Sequence, residues 1–277
     1  MFTRHRALVT LATILFAAPI LHAASITGFG SGQIEGKNIS AAAIYEIVDG
    51  DLKITLGNTA SGSDYTPAQV LTGIGFNLPG VTFTIRGSSV IAADGSEVWA
   101  VQRDGGKPTR QLVGEGGTDV SGEWGLVRGQ QLPAVGGGVL GPYDFIVTAS
   151  AFDDENGEGI DQPFTNVNIP DSPPSLSGGD FGLINPESLS TSSLNNFGMI
   201  TDAVIIRLNA TTELDDSHLT QLFTGSGQLP AFKYGSSHDG FETFLLDPTV
   251  VVPLPAAAWG GLMLLGGIGA TRFKRLS

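Results

Sequence analysis

The chain has 277 residues, of which 41% are hydrophobic and only 15% charged, and 27 acidic residues against 14 basic ones give a formal net charge of −13. That acidity disfavours nucleic acid and anionic lipid headgroups as partners, and the absence of cysteine excludes disulfides, thiol chemistry and cysteine-based zinc sites. With 39 glycines and 15 prolines almost every candidate helix is interrupted, which favours short strands joined by turns.

Arg4, His5 and Arg6 make the start of the chain basic, and residues 7–20 form an apolar run broken only by Thr10, Thr13 and Pro19. Leu21-His22-Ala23-Ala24 then offers small residues for cleavage after Ala23 or Ala24. This order predicts a secretory signal peptide over residues 1–23 and export through the secretion translocon. An uncleaved anchor is the competing reading, but the run is short for the roughly 20 apolar residues that a span requires.

Residues 42–48 and 51–56 flank Asp49-Gly50, and in the second arm Leu52, Ile54 and Leu56 alternate with Asp51, Lys53 and Thr55. Period-two alternation around Asp-Gly predicts a β-hairpin. Val81, Phe83 and Ile85 define one face of a further strand, with Thr82 and Thr84 on the other, and 143–149, 203–208 and 242–246 are apolar runs bounded by turn residues. The pattern predicts an all-β, sandwich-like domain over residues 24–249. Residues 168–180, rich in Pro, Ser and Gly, read as a long loop or as a hinge. One domain is favoured over two, because each half would be small for an independent sandwich.

Residues that could carry chemistry are few. Outside the signal the histidines are His218 and His238; His238, in Ser236-Ser237-His238-Asp239-Gly240, reads as a turn, and His218 as a solvated loop or helix start. No G-x-S-x-G elbow presents a nucleophile. Gly136–Gly141 formally satisfies G-x-G-x-x-G, but no strand precedes it and Pro142 follows, so it reads as a flexible loop. Asp154, Asn156 and Glu158 occupy positions one, three and five of a calcium-loop pattern with Gly159 at six, which makes calcium the one cofactor suggested. Glu158 and Thr165 depart from that pattern at positions five and twelve, and a plain acidic loop is the competing reading. Trp99 and Trp124 are candidates for stacking on a surface polysaccharide, although a tryptophan in a β-domain is more often core. Carboxylates are plentiful enough for a glycosidase, yet nothing selects a pair. No catalytic residue is assigned, and the chain reads as a non-enzyme.

Between Asp247 and Arg272 lie 24 residues without charge. As helix, residues 250–271 would measure about 33 Å, close to the roughly 30 Å of a bilayer's hydrocarbon core. Pro253 and Pro255 favour an extended start, so a membrane helix is expected from Ala256, with Arg272, Lys274 and Arg275 held on the cytoplasmic side. Setting those three and Arg4 and Arg6 aside leaves nine basic residues against 27 acidic, a net charge of −18 for the part between.

The order Val252-Pro253-Leu254-Pro255-Ala256, apolar helix, then Arg272-Phe273-Lys274-Arg275 resembles the VPLPA variant of the PEP-CTERM sorting signal. The resemblance covers roughly the last 26 residues, within a sorting segment read over 250–277, and implies a partner, an exosortase-type enzyme that reads the Pro motif and removes the tail for delivery to the cell surface or outside it. A plain single-pass anchor is the competing reading. More loosely, residues 52–60, 70–76, 203–208 and Phe232-Lys233-Tyr234-Gly235 resemble parts of exosortase-dependent surface proteins, a likeness that carries no catalytic residues with it.

Overall fold

The structure is a computed structural model that describes residues 25–34, 36–60, 65–85, 89–104, 107–133, 139–148, 181–190, 198–224, 229–235 and 242–245. Residues 1–24, over which a signal peptide is expected, residues 168–180 and the tail from 250 lie outside the described residues. In chain order the strands are β1 (Ser25–Ile34), β2 (Lys37–Val48), β3 (Asp51–Asn58), β4 (Leu71–Phe76), β5 (Phe83–Thr84), β6 (Val90–Ala92), β7 (Glu97–Asp104) and β8 (Lys107–Glu115). They continue as β9 (Trp124–Pro133), β10 (Val139–Thr148), β11 (Gly182–Ile184), β12 (Met199–Thr201), β13 (Ala203–Ala210), β14 (Ala231–Tyr234) and β15 (Glu242–Leu245).

The described part is all-β, in two sheets, with one short α-helix. The Asp-Gly hairpin forms as expected: Asp49 and Gly50 take φ of 54° and 82°, the double positive φ of a type I′ turn, whose twist matches that of the flanking strands. From Val48↔Asp51 to Ala41↔Asn58 the register runs without a shift. Leu52, Ile54 and Leu56 point inward and are fully buried, while the residues between them stay half-exposed.

In the first sheet the order is β1-β2-β3-β13-β5, and β6 also pairs with β13. The second runs β15-β14-β4-β11-β12-β7-β8, with β10 on β4 and β9 beyond it. Strands from before and after residues 149–180 neighbour each other in both sheets, as β13 lies on β3 and β14 on β4. The inward faces share one apolar core that includes Ile54, Leu56 and Ile206 from the first sheet and Ile74, Trp124, Ile146 and Phe232 from the second. Close approach of β10 to β4 depends on missing side chains, since a Cβ at Gly75 would lie 2.3 Å from the Phe145 ring.

Two local expectations need correction. Val139, Leu140 and Gly141 are not a flexible loop: they open β10, with Val139 and Leu140 paired to Pro133 and Leu132 of β9. The strand around Phe83 is only two residues long, because β5 meets β13 at just Asn209↔Thr84 and Ala210↔Phe83, although Phe83 and Ile85 do point into the core. His218 lies in the first turn of a helix, α1 (Asp216–Thr224), and the Asp215 side chain just before it caps the first backbone N–H groups. Asp215 Oδ1 accepts from the Ser217 backbone N–H at 2.9 Å and lies 2.7 Å from His218 Nδ1. The Ser217 and His218 hydrogen bonds hold this carboxyl down to about 2. The helix seats Leu219, Leu222 and Phe223 on the core, where Phe223 meets Tyr45 edge-on at 5.2 Å between ring centres.

Lys233 is the least expected core residue. It lies between Phe232 and Tyr234 on β14, fully buried, and its Nζ donates to the Gly235 carbonyl at 3.2 Å. Burial pushes its ammonium down to about 7. Below pH 7 the charge is carried in both folded and unfolded chains, and the burial penalty applies in full. As pH rises from about 7 towards the unfolded value near 10.4 the folded chain sheds the proton first, so stability rises. Lys233→Met should therefore melt higher than wild type at pH 6, and the gap should narrow steadily in thermal melts up to pH 10.

Candidate functional site

Trp99 lies on β7 between Val98 and Ala100, which belong to the shared core, so its own side chain takes the opposite, outer face of the second sheet. Two segments cover that face nearby, the turn Pro67–Gln69 and the short helical turn Pro186–Ser190. A buried polar network anchors the first. Asn58 Nδ2 donates to the carbonyls of Gln69 (3.0 Å) and Leu183 (2.8 Å), and the Tyr65 hydroxyl donates to Gln69 O at 2.7 Å. Gln69 Nε2 in turn donates to Asn38 O at 2.8 Å. These bonds satisfy polar groups that burial would otherwise penalise. They hold Tyr65 and Val70 against Ile184 and Met199 in a second apolar cluster, with Leu189 packed on it.

At the solvent edge of this cluster Trp99, Arg110, Pro186, Glu187 and Leu189 line an open cleft of about 430 Å³. Trp99 is half-buried, and its indole Nε1 donates to Glu97 Oε2 at 3.0 Å, which sets the plane of the ring. Its cross-strand partner is Leu112, 38% exposed. Arg110 stands opposite Val101 on β8, where partial burial lowers its guanidinium from the ordinary value. Pro186 and Glu187 are exposed at the rim. An aromatic plate with aliphatic neighbours and a few polar groups at the edge is the composition of a small-ligand site.

The two tryptophans thus separate. Trp124, at the start of β9, is 1% exposed and belongs to the core between the sheets, so it cannot stack on a ligand. Its Nε1 is buried without an acceptor. Sequence reasoning named Trp99 but none of its neighbours in the cleft, because Arg110 follows in the β7–β8 hairpin without a local signature and Glu187 comes from a distant segment that only the sheet order brings beside it. The calcium-loop residues Asp154, Asn156 and Glu158 lie outside the described residues, as do His238, the motif residues Val252–Ala256, and Arg272, Lys274 and Arg275. Among the described residues no cluster of three or more His, Asp or Glu side chains is placed to hold a metal ion, and no helix is long and apolar enough to cross a membrane. Comparison with family models, curated proteins and solved structures finds no match to this chain.

Proposed function

We propose that this is an exported bacterial surface protein, structural or adhesive in role, whose sandwich-like β-domain is carried to the outside between a cleaved signal peptide and a membrane-embedded sorting tail. The observation that carries the reading is the tail: a Val-Pro-Leu-Pro-Ala motif, an apolar segment of bilayer length and a basic end, in that order. The body suits the role. A large two-sheet core with no cysteine does not depend on the redox state of its compartment, and an acidic surface keeps exported copies soluble.

Mass spectrometry of the protein recovered from its native cells tests both ends at once. The mature chain should begin at Ala24 or Ser25 and should lack Arg272, Lys274 and Arg275. An intact C-terminus on surface-exposed protein would reduce the tail to a plain anchor.

A second reading, a carbohydrate-binding surface module, is favoured by the Trp99 cleft. A ring held in plane by Glu97 and flanked by Leu189 offers the flat apolar surface on which a sugar's C–H face packs. The two readings are compatible, since an adhesive surface protein can hold its matrix through such a site.

A further inference from the structure

Building on the saccharide reading of the Trp99 cleft, we infer that its ligand is an uncharged pyranose unit of a neutral polysaccharide. Trp99 supports the sugar's C–H face, Arg110 donates to its hydroxyls and Glu187 accepts from them.

The charges at the rim decide the ligand class. Arg110 and Glu187 put one guanidinium and one carboxylate on the lining of the cleft, while Glu97 is engaged by Trp99, accepting from its Nε1 at 3.0 Å. A uronic acid or sulfated sugar would bring a second anion beside Glu187. It would also approach a chain whose net charge is −13. The opposite class is disfavoured as well. A quaternary ammonium is the usual cationic guest of a tryptophan face, but Arg110 would stand against it in the same cleft. A neutral polyol escapes both penalties and still uses both polar groups, because each hydroxyl donates and accepts while the guanidinium carries five N–H donors and the carboxylate only acceptors. The cleft's volume of about 430 Å³ is at the small end for ligand sites, which suits one or two rings of a longer chain passing over an open surface.

Calorimetric titration of the full chain in detergent micelles compares a neutral β-glucan hexasaccharide with an oligogalacturonate of equal length, at 20 mM and 200 mM NaCl. The neutral sugar should bind at least tenfold more tightly at low salt, and the gap should shrink at high salt as repulsion is screened. Trp99→Phe and Arg110→Gln should each weaken the neutral sugar severalfold with an unchanged melting temperature, and Glu187→Gln should raise uronate affinity relative to neutral sugar. Uronate binding as tight as or tighter than the neutral sugar, and lost in Trp99→Phe, would overturn the neutral assignment while leaving the cleft a saccharide site. Neutral-sugar binding indifferent to Trp99→Phe and Arg110→Gln would place the ligand elsewhere and overturn the inference. Binding of neither sugar would remove the saccharide reading itself.

Discussion

Replacing Pro253 and Pro255 together by alanine is expected to leave export and membrane insertion intact while blocking removal of the tail. On the proposed reading, topology rests on the apolar run and on Arg272, Lys274 and Arg275, none of which the substitutions touch. What changes is the segment ahead of the helix. Proline has no N–H and clashes with the preceding turn, so on that reading Val-Pro-Leu-Pro is expected to stay extended, with its backbone within reach of a processing enzyme. Alanine is the strongest helix former, about 3 kcal/mol more favourable than proline in a helix interior, and two of them let the helix continue upstream through the motif. The variant should accumulate as a full-length, membrane-bound species, visible as a band larger than mature wild type and reactive to an antibody against the last ten residues. Normal maturation and surface delivery of this variant would show that the motif is not what is read.

Trp124→Ala is expected to destabilise the β-domain by about 3–5 kcal/mol, and Trp99→Ala by about 1 kcal/mol or less. Both residues are the same side chain on strands of the same sheet, but Trp124 is 1% exposed between the sheets, whereas Trp99 faces the solvent edge of a small outer cluster. Removing the first leaves a cavity that neighbours such as Leu126 and Ile146 on rigid strands cannot close; removing the second mostly enlarges an open cleft. In thermal melts the Trp124→Ala loss should appear as a fall of roughly 6–20 °C for a domain of this size. Trp124→Phe should recover most of it, because the smaller ring keeps much of the apolar contact and removes the buried Nε1–H that has no acceptor. Equal effects of the two alanine variants would mean that Trp99 is as structural as Trp124, and the cleft would lose its claim to be a binding site.

The contrast between the two tryptophans shows where sequence reasoning stops. Both belong to the same residue type in strand-like contexts, and local pattern gave no reason to treat them differently. Lys233 makes the same point: between Phe232 and Tyr234, strict alternation puts it on the opposite face of β14, which for most strands would be solvent, yet here that face is also covered. Arg110 and Glu187 have no local signature at all, since a rim residue is defined by what lies across the cleft.

What the amino-acid sequence determined by itself were the features governed by short-range rules. Asp49-Gly50 dictates a two-residue turn because few other dipeptides accept positive φ at both positions, and the alternation in Asp51–Asn58 then decides which side chains enter the core. Composition likewise decided the absence of disulfides and the acidity of the surface, and the linear order of motif, apolar run and basic end is the whole basis of the sorting proposal. Tertiary structure alone decided the order of strands, in which β13 joins β3 across residues 59–202, and with it the outer cluster that sets Glu187 and Leu189 beside the hairpin carrying Trp99 and Arg110. The reason is physical: backbone turns and side-chain alternation are local energies, whereas burial and cleft formation depend on which distant strands pair, and that choice is made by the core as a whole.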